Sequence, residues 1–318
     1  MSNPAIEIAP PDISAWATGN TGIPYVWTLD SGQPGPHCAI VALTHGNEYC
    51  GAYAIDALLR ANMRPERGRV SCVFANVEAF LSFDASAPFK SRYLDEDFNR
   101  VWDATTLDGL RQSHELTRAR ALRPFFDTVD HLLDLHSMHE ACAPLLLCGV
   151  TQKGLANARA LGAPEHVLID AGHAAGKRLF DYADFGDDAS PKTAYLVECG
   201  QHWAASSVAV AHESVARFLG RYLLKSAVFT PQVLGPTSPQ KCIDVTHAIT
   251  VKLDANFTWA QKWEGLTVVE KAGTPLATEA GQTITTPYDH CVLIMPAPEP
   301  IAGQTAVRLG RLVTSKKS

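Results

Sequence analysis

The chain has 318 residues, 46% of them hydrophobic, and its net charge of −6 comes from 33 acidic and 27 basic side chains spread without a long block of either sign. That length buries one large core or two smaller ones, and the absence of a basic stripe argues against a nucleic-acid partner. The opening MSNPAIEIAPPDISAW has no basic segment followed by an apolar one, and no apolar run approaches the ~18 residues of a membrane span, so neither a signal peptide nor a membrane segment is expected.

Eight cysteines are scattered, mostly in apolar strand-like runs, with no C-x-x-C pair. This usage predicts buried thiols in a reducing cytoplasm rather than a disulfide framework or a cysteine-zinc site.

In chain order, residues 38–43 (CAIVAL) are uniformly apolar and predict a strand buried on both faces. Residues 48–63 follow with Ala52, Ile55, Leu58 and Leu59 at helical spacing. A strand is expected at 69–76 (RVSCVFAN), a helix at 107–122, and a strand at 129–136 (VDHLLDLH). Further buried strands are expected at 144–149 (PLLLCG), 166–170 and 193–199 (TAYLVEC), and a long amphipathic helix at 206–224. Strands alternating with helices imply an α/β fold with a parallel or mixed sheet covered on both faces. Residues 229–240 (FTPQVLGPTSPQ) carry three prolines and predict a linker. Beyond them helical periodicity stops, and short strands separated by Gly, Pro and Asp turns are expected. The organisation read from this pattern is an α/β part over 1–228, a linker over 229–240 and a small β-rich domain over 241–318.

The strand at 38–43 ends on Thr44-His45-Gly46-Asn47-Glu48, an imidazole and a carboxylate three positions apart. A zinc ion takes imidazole nitrogens and carboxylate oxygens, and a catalytic site has three protein ligands with one open position. The strand at 129–136 ends on His136, and in open α/β sheets ligands gather at the carboxyl ends of strands. His45, Glu48 and His136 would converge there. H-x-x-E alone fits equally a hydrogen-bonded histidine and a helix N-terminal glutamate.

Two further stretches bear on that choice. Residues 91–102 (SRYLDEDFNRVW) place Arg92, Asn99 and Arg100 among aromatics. Guanidinium forks hold carboxylates, and an arginine beside a polarised carbonyl stabilises an oxyanion; a solvated charged loop is the plainer reading. Glu198 closes the otherwise apolar strand at 193–199, where a carboxylate without a task is costly to bury. Beside a metal it could act as general base.

Taken together, His45-Gly46-Asn47-Glu48, Arg92 with Asn99-Arg100, Asp134-Leu135-His136-Ser137 and Glu198-Cys199-Gly200 resemble the succinylglutamate desuccinylase/aspartoacylase family of zinc carboxypeptidase-like hydrolases. The stretch 273–296 also resembles the family's β-domain. The resemblance implies a zinc-carboxypeptidase-like mixed sheet flanked by helices. It implies one zinc per chain on His45, Glu48 and His136, and Glu198 as the base for a metal-activated water. Arg92 would polarise the scissile carbonyl, and Asn99 and Arg100 would hold a substrate carboxylate. Asp134 either orients the His136 imidazole or caps the strand end.

Where aspartoacylases carry a Tyr and an Arg ahead of the catalytic Glu, residues 181–192 (DYADFGDDASPK) are acidic, with Tyr182 and Lys192 as the comparable groups. If the aspartates at 185–190 line the pocket, a second amino group on the substrate is favoured; a solvated loop is the other reading. Tyr288 is expected in a turn of the β-domain, and His139 and His202 on the surface or behind the ligands. The expected activity is hydrolysis of the amide of a small-molecule N-acyl amino acid, with peptides longer than a dipeptide excluded. The alternatives are a metallocarboxypeptidase acting on short peptides and a zinc-binding non-catalytic relative. A homo-oligomer is compatible with these features but not dictated by them.

Overall fold

The computed structural model describes residues 4–172, 174–222, 238–252 and 256–313. Its centre is a mixed sheet in which β2 (His37–Ala42) is buried along its whole length. Strand β2 runs parallel to β3 (Arg69–Phe74) on one side and β4 (His131–Met138) on the other. Strand β4 in turn runs parallel to β7 (Thr193–Gln201). An edge strand β1 (Val26–Asp30) pairs antiparallel with β3, β5 (Leu145–Leu147) pairs antiparallel with β7, and β6 (His166–Ile169) lies parallel beyond β5.

Two-residue periodicity explains why these strands read as continuous apolar runs. Ile40 and Ala42, Leu133 and Leu135, and Tyr195 and Val197 face one layer, which contains α1 (Cys50–Arg60), α5 (Gln152–Leu161) and α6 (Ala205–Tyr222). Ala39 and Val41, Leu132, and Ala194 and Leu196 face the other, with α4 (His114–Phe126), Phe98 and Trp102. Both faces are covered, so neither needs polar residues. Asp134 and His136 continue the Leu132 face, and Glu198 continues the Leu196 face. The polar residues of the strand ends therefore emerge on the same side of the sheet.

The C-terminal strands extend this sheet. Strand β8 (Lys241–Thr250) lies parallel to β6, followed by β14 (Thr305–Val313), β13 (Cys291–Ile294) and β10 (Val268–Val269), all antiparallel. A separate three-stranded antiparallel sheet comprises β9 (Phe257–Trp259), β11 (Pro275–Glu279) and β12 (Gln282–Thr285). The fold class expected from the sequence, a large mixed sheet flanked by helices with a small C-terminal β-sheet, is the one observed.

Some element boundaries differ from expectation. The first helix starts at Cys50 rather than residue 48 and stops at Arg60, just before Asn62 turns to φ 47°. After α2 (Val77–Leu81), the helix expected at 107–122 is two: a short α3 (Ala104–Asp108), and α4, which begins only at His114. Gly109 stands where α3 ends, and Ser113 accepts the Leu116 N–H at 2.9 Å to start α4 afresh. Residues 223–224, 229–237 and 253, on which parts of the expected helix, linker and strand fall, lie outside the described residues.

Candidate metal and catalytic site

The site forms where β2 and β4 end. Leu43 adopts φ 61°, which breaks the strand before His45. Gly46 is obligatory next to it: a Cβ there would stand 2.3 Å from Ser91 O and 2.5 Å from Phe80 N. The backbone can then pass against the 79–92 segment, Gly46 N–H donating to Arg92 O at 3.0 Å. This close approach sets His45 and Glu48 on one turn, facing His136 from β4.

Glu48 sits between the two imidazoles. Its Oε1 lies 2.8 Å from His45 Nδ1, and its Oε2 lies 3.0 Å from His136 Nδ1 and accepts the Ser137 N–H at 3.0 Å. Each ring presents its other nitrogen to a carboxylate: His45 Nε2 to Asp97 Oδ1 at 2.9 Å, His136 Nε2 to Asp134 Oδ2 at 2.9 Å. Asp134 is itself held by Thr44 Oγ1 at 2.8 Å, so of its two expected roles the one orienting His136 is observed. All three candidate ligands are buried, and one donor atom from each lies within 4.8 Å of the others. Two imidazoles and a carboxylate, backed by carboxylates that fix the rings, make a donor set able to hold a metal ion.

The charges are mutually supporting. Burial works against ionising Glu48, yet His45 and His136 hold it well below the ordinary glutamate range. Burial likewise disfavours the His136 imidazolium, but Asp134 and Glu48 raise its pKa well above normal. Asp97, despite burial, is held far down by His45 and Arg92.

Arg92 reaches the same point. Its Nη1 donates to Glu48 Oε1 at 2.8 Å and its Nη2 lies 3.0 Å from His45 Nε2. Glu198 faces His136 across the β4–β7 pairing. Its Oε2 is fully buried without a hydrogen-bond partner among the described residues, and burial followed by the neighbouring Glu48 carboxylate pushes its pKa up to about 8. A buried carboxylate oxygen left unpaired is costly, and such oxygens mark sites where a ligand or proton is handled.

The Asn99–Arg100 pair lies beside this cluster but is partly engaged. Asn99 Oδ1 accepts the Leu179 N–H at 2.8 Å, and Arg100 Nη1 donates to Asn99 O at 2.7 Å. His202 is buried behind Ser137, bonded to its Oγ at 2.9 Å, and burial lowers its pKa to about 3; His139 stacks on Phe89 at 4.0 Å. Neither joins the metal-competent cluster.

The 181–192 segment stands at the opposite end of β7 from Glu198. Tyr182 donates to Asp127 Oδ1, Lys192 Nζ to Asp127 O, and Asp188 accepts from the Lys153 backbone. Asp187 and Asp188 are exposed, so the solvated-loop reading holds. Tyr288 bonds Thr246 and lies under the Arg311 guanidinium, within the C-terminal strands.

Three neighbours were not foreseen from the sequence. Asp97 lies inside the quoted 91–102 motif, where its position two before Asn99 was the available signal. Arg178 and Arg308 come from distant segments, with nothing local to mark them.

An α/β sheet whose strand ends bring a His–Glu–His cluster, an arginine and a buried glutamate together defines a hydrolase-like class of site. A family model described as the succinylglutamate desuccinylase/aspartoacylase catalytic domain matches residues 34–203, and the chain belongs to that family of deacylase hydrolases. No curated protein sequence matches it. Among solved structures it is similar to succinylglutamate desuccinylase from Vibrio parahaemolyticus (17% identity, TM-score 0.67, covering 92% of this chain and 87% of that one). The enzyme of the same description from Vibrio cholerae is comparable (16%, 0.67, 93% and 87%). A product-bound ectoine utilization protein from Ruegeria pomeroyi aligns at 17% identity and a TM-score of 0.59, over 90% and 88% of the chains. At these identities the likeness establishes the shared fold.

Proposed function

We propose that the protein is a zinc-dependent amidohydrolase that removes the acyl group from a small N-acyl amino acid. The observation that carries this reading is the unpaired, buried Oε2 of Glu198 beside the His45–Glu48–His136 cluster. A structural metal site would need no such base.

His45, Glu48 and His136 would hold one zinc, which when bound supplies a Lewis acid and lowers the pKa of a coordinated water. Glu198 takes the proton of the attacking water at Oε2 and returns it to the leaving amine nitrogen. A pKa raised towards neutrality suits a group that must both accept and donate. Arg92, its guanidinium anchored by Glu48, donates to the carbonyl oxygen as negative charge develops there. Arg100 binds the free carboxylate of the substrate, with Asn99 holding the adjoining backbone. Eight free cysteines, and no helix among the described residues long and apolar enough to cross a membrane, support a cytoplasmic setting.

The test is hydrolysis by the zinc-loaded protein of a panel of N-acetyl, N-succinyl and N-formyl amino acids, beside a C-terminal tripeptide. Turnover of an N-acyl amino acid is expected; a clear preference for the tripeptide would overturn the deacylase reading. His45→Ala and His136→Ala are expected to lose nearly all zinc, and full occupancy in either would remove that residue from the ligand set.

A further inference from the structure

Beyond the family motif, a second arginine approaches Asp170, the carboxylate that Arg178 holds. Arg308 projects from β14, opposite Ile294 of β13 and Ala248 of β8. Its side chain is only 12% exposed. It lies within the electrostatic reach of Arg100, Arg178 and Glu198. The C-terminal sheet thus brings a cation against Asp170 of the first part of the chain.

The three arginines differ in how they are neutralised. Arg178 is saturated, with Nη1 at 2.7 Å from Asp170 Oδ2 and Nε at 2.6 Å from Asp181 Oδ2. Arg308 is not: its one ion pair among the described residues is a 3.7 Å approach of Nε to the same Asp170 oxygen. Arg100 donates to the neutral Asn99 O, and its one ion pair among the described residues is a 4.0 Å approach to Asp97 Oδ2. Burial, and then the like charges around them, lowers the pKa of both Arg100 and Arg308 despite the carboxylates nearby. Two half-buried, under-neutralised guanidinium groups within electrostatic reach of each other are unfavourable until an anion joins them.

The scaffold around them is built to hold this arrangement. Gly176 has φ +142°, and a Cβ there would lie 2.0 Å from Arg100 O. The loop therefore packs directly on Arg100 and carries Arg178 two residues on. Arg178 pins Asp170 just past β6, and Asp170 receives Arg308. Asn99, the residue expected to share the substrate carboxylate with Arg100, already has its side-chain oxygen engaged by Leu179.

We propose that Arg308 is the second arm of a carboxylate clamp: with Arg100 it binds the free carboxylate of the substrate, while the Arg178–Asp170 pair holds it in place. This rests on the reading of the site as a pocket for an N-acyl amino acid, but it concerns binding rather than turnover. It makes the C-terminal sheet a contributor to specificity and not only a cover.

The test is calorimetric titration of the metal-free, full-length protein, in which no hydrolysis is expected. The probes are N-acetyl-L-glutamate, N-acetyl-L-aspartate, N-succinyl-L-glutamate and N-acetyl-L-alanine, each beside its fully amidated counterpart. The wild type is expected to bind at least one acid and to bind its amide far more weakly. Arg308→Gln should weaken that acid by roughly 30-fold or more, the usual result of truncating a buried charged contact, and leave the amide unchanged. Arg308→Lys keeps the charge without the fork and should fall between them. A structural role would lower acid and amide together. Equal binding of every acid and its amide by the wild type overturns the clamp, as does wild-type affinity of Arg308→Gln for the acid. Should Arg308→Gln not fold, wild-type affinity in Arg308→Lys overturns it instead. Loss of turnover with this pattern intact would count against the deacylase reading alone.

Discussion

Glu198 and His136 show how one register decides a chemical role. They are partners across β4 and β7, so a one-residue slip would turn Glu198 to the opposite face of the sheet, away from the cluster. Glu198→Gln keeps the shape and removes the proton acceptor. We expect it to retain zinc and the fold while lowering kcat by roughly 10²–10⁴, the common worth of a positioned acid–base group; metal analysis and steady-state kinetics on one preparation check both halves. Loss of metal would make Glu198 a ligand instead. His45, Glu48, His136, Arg92 and Glu198 were legible because each sits at the polar end of an apolar run or in a dense polar stretch. Asp97 and Asp134 differ in legibility: a carboxylate two residues before a candidate ligand histidine on one strand shares its face, whereas Asp97 reaches His45 only because Gly46 lets two segments touch.

The strands carry a second, purely structural use of histidine at their other ends. His37 opens β2, buried, its Nε2 2.8 Å from Ser71 Oγ and its Nδ1 3.0 Å from Thr128 O. Burial, then Arg69, lowers its pKa to about 4. His131 opens β4, stacked on Tyr222 at 3.8 Å, and burial takes it to about 4 as well. An unfolded histidine titrates near 6.5. Between there and about 4 the unfolded chain binds protons that the native one refuses, so stability is full above pH 6.5 and declines as pH falls through that window. For the buried His37 the decline amounts to roughly 3 kcal/mol at most. Melting temperatures at pH 7.5 and pH 5 should therefore differ less in His37→Gln than in the wild type; an unchanged difference would assign the acid lability to other groups. The same strands were the most legible elements, because burial on both faces writes an uninterrupted apolar run. Strand β1 was not, since its edge position leaves VWTLD half exposed, and α5 was not, since only Gly154, Ala158 and Leu161 are buried there.

At the scale of the molecule, the proline-rich 229–240 stretch and the continuous sheet point in different directions. Composition changes at that stretch, and we propose it as the joint between an α/β part and a β-rich part, although 229–237 lies outside the described residues. The sheet nevertheless runs through the change, because β8 pairs with β6 in parallel from His166↔Lys241 to Ile169↔Asp244. Ile243, Val292 and Ile294 share a core with Leu168, Leu196 and Phe180. Neither link was legible in the sequence: parallel pairing between distant segments leaves no local mark, whereas a run of prolines does. A cut in the joint should consequently separate the chain covalently without separating it physically. Limited proteolysis directed to 229–240 is expected to give two bands in denaturing electrophoresis and a single peak in gel filtration. The nicked protein should keep its zinc, whose proposed ligands all precede the joint. It should also keep its affinity for the substrate carboxylate, for which Arg308 must remain beside Asp170. Fragments that part under native conditions would show that the β6–β8 ladder and its shared core are too weak to hold the C-terminal strands against the site.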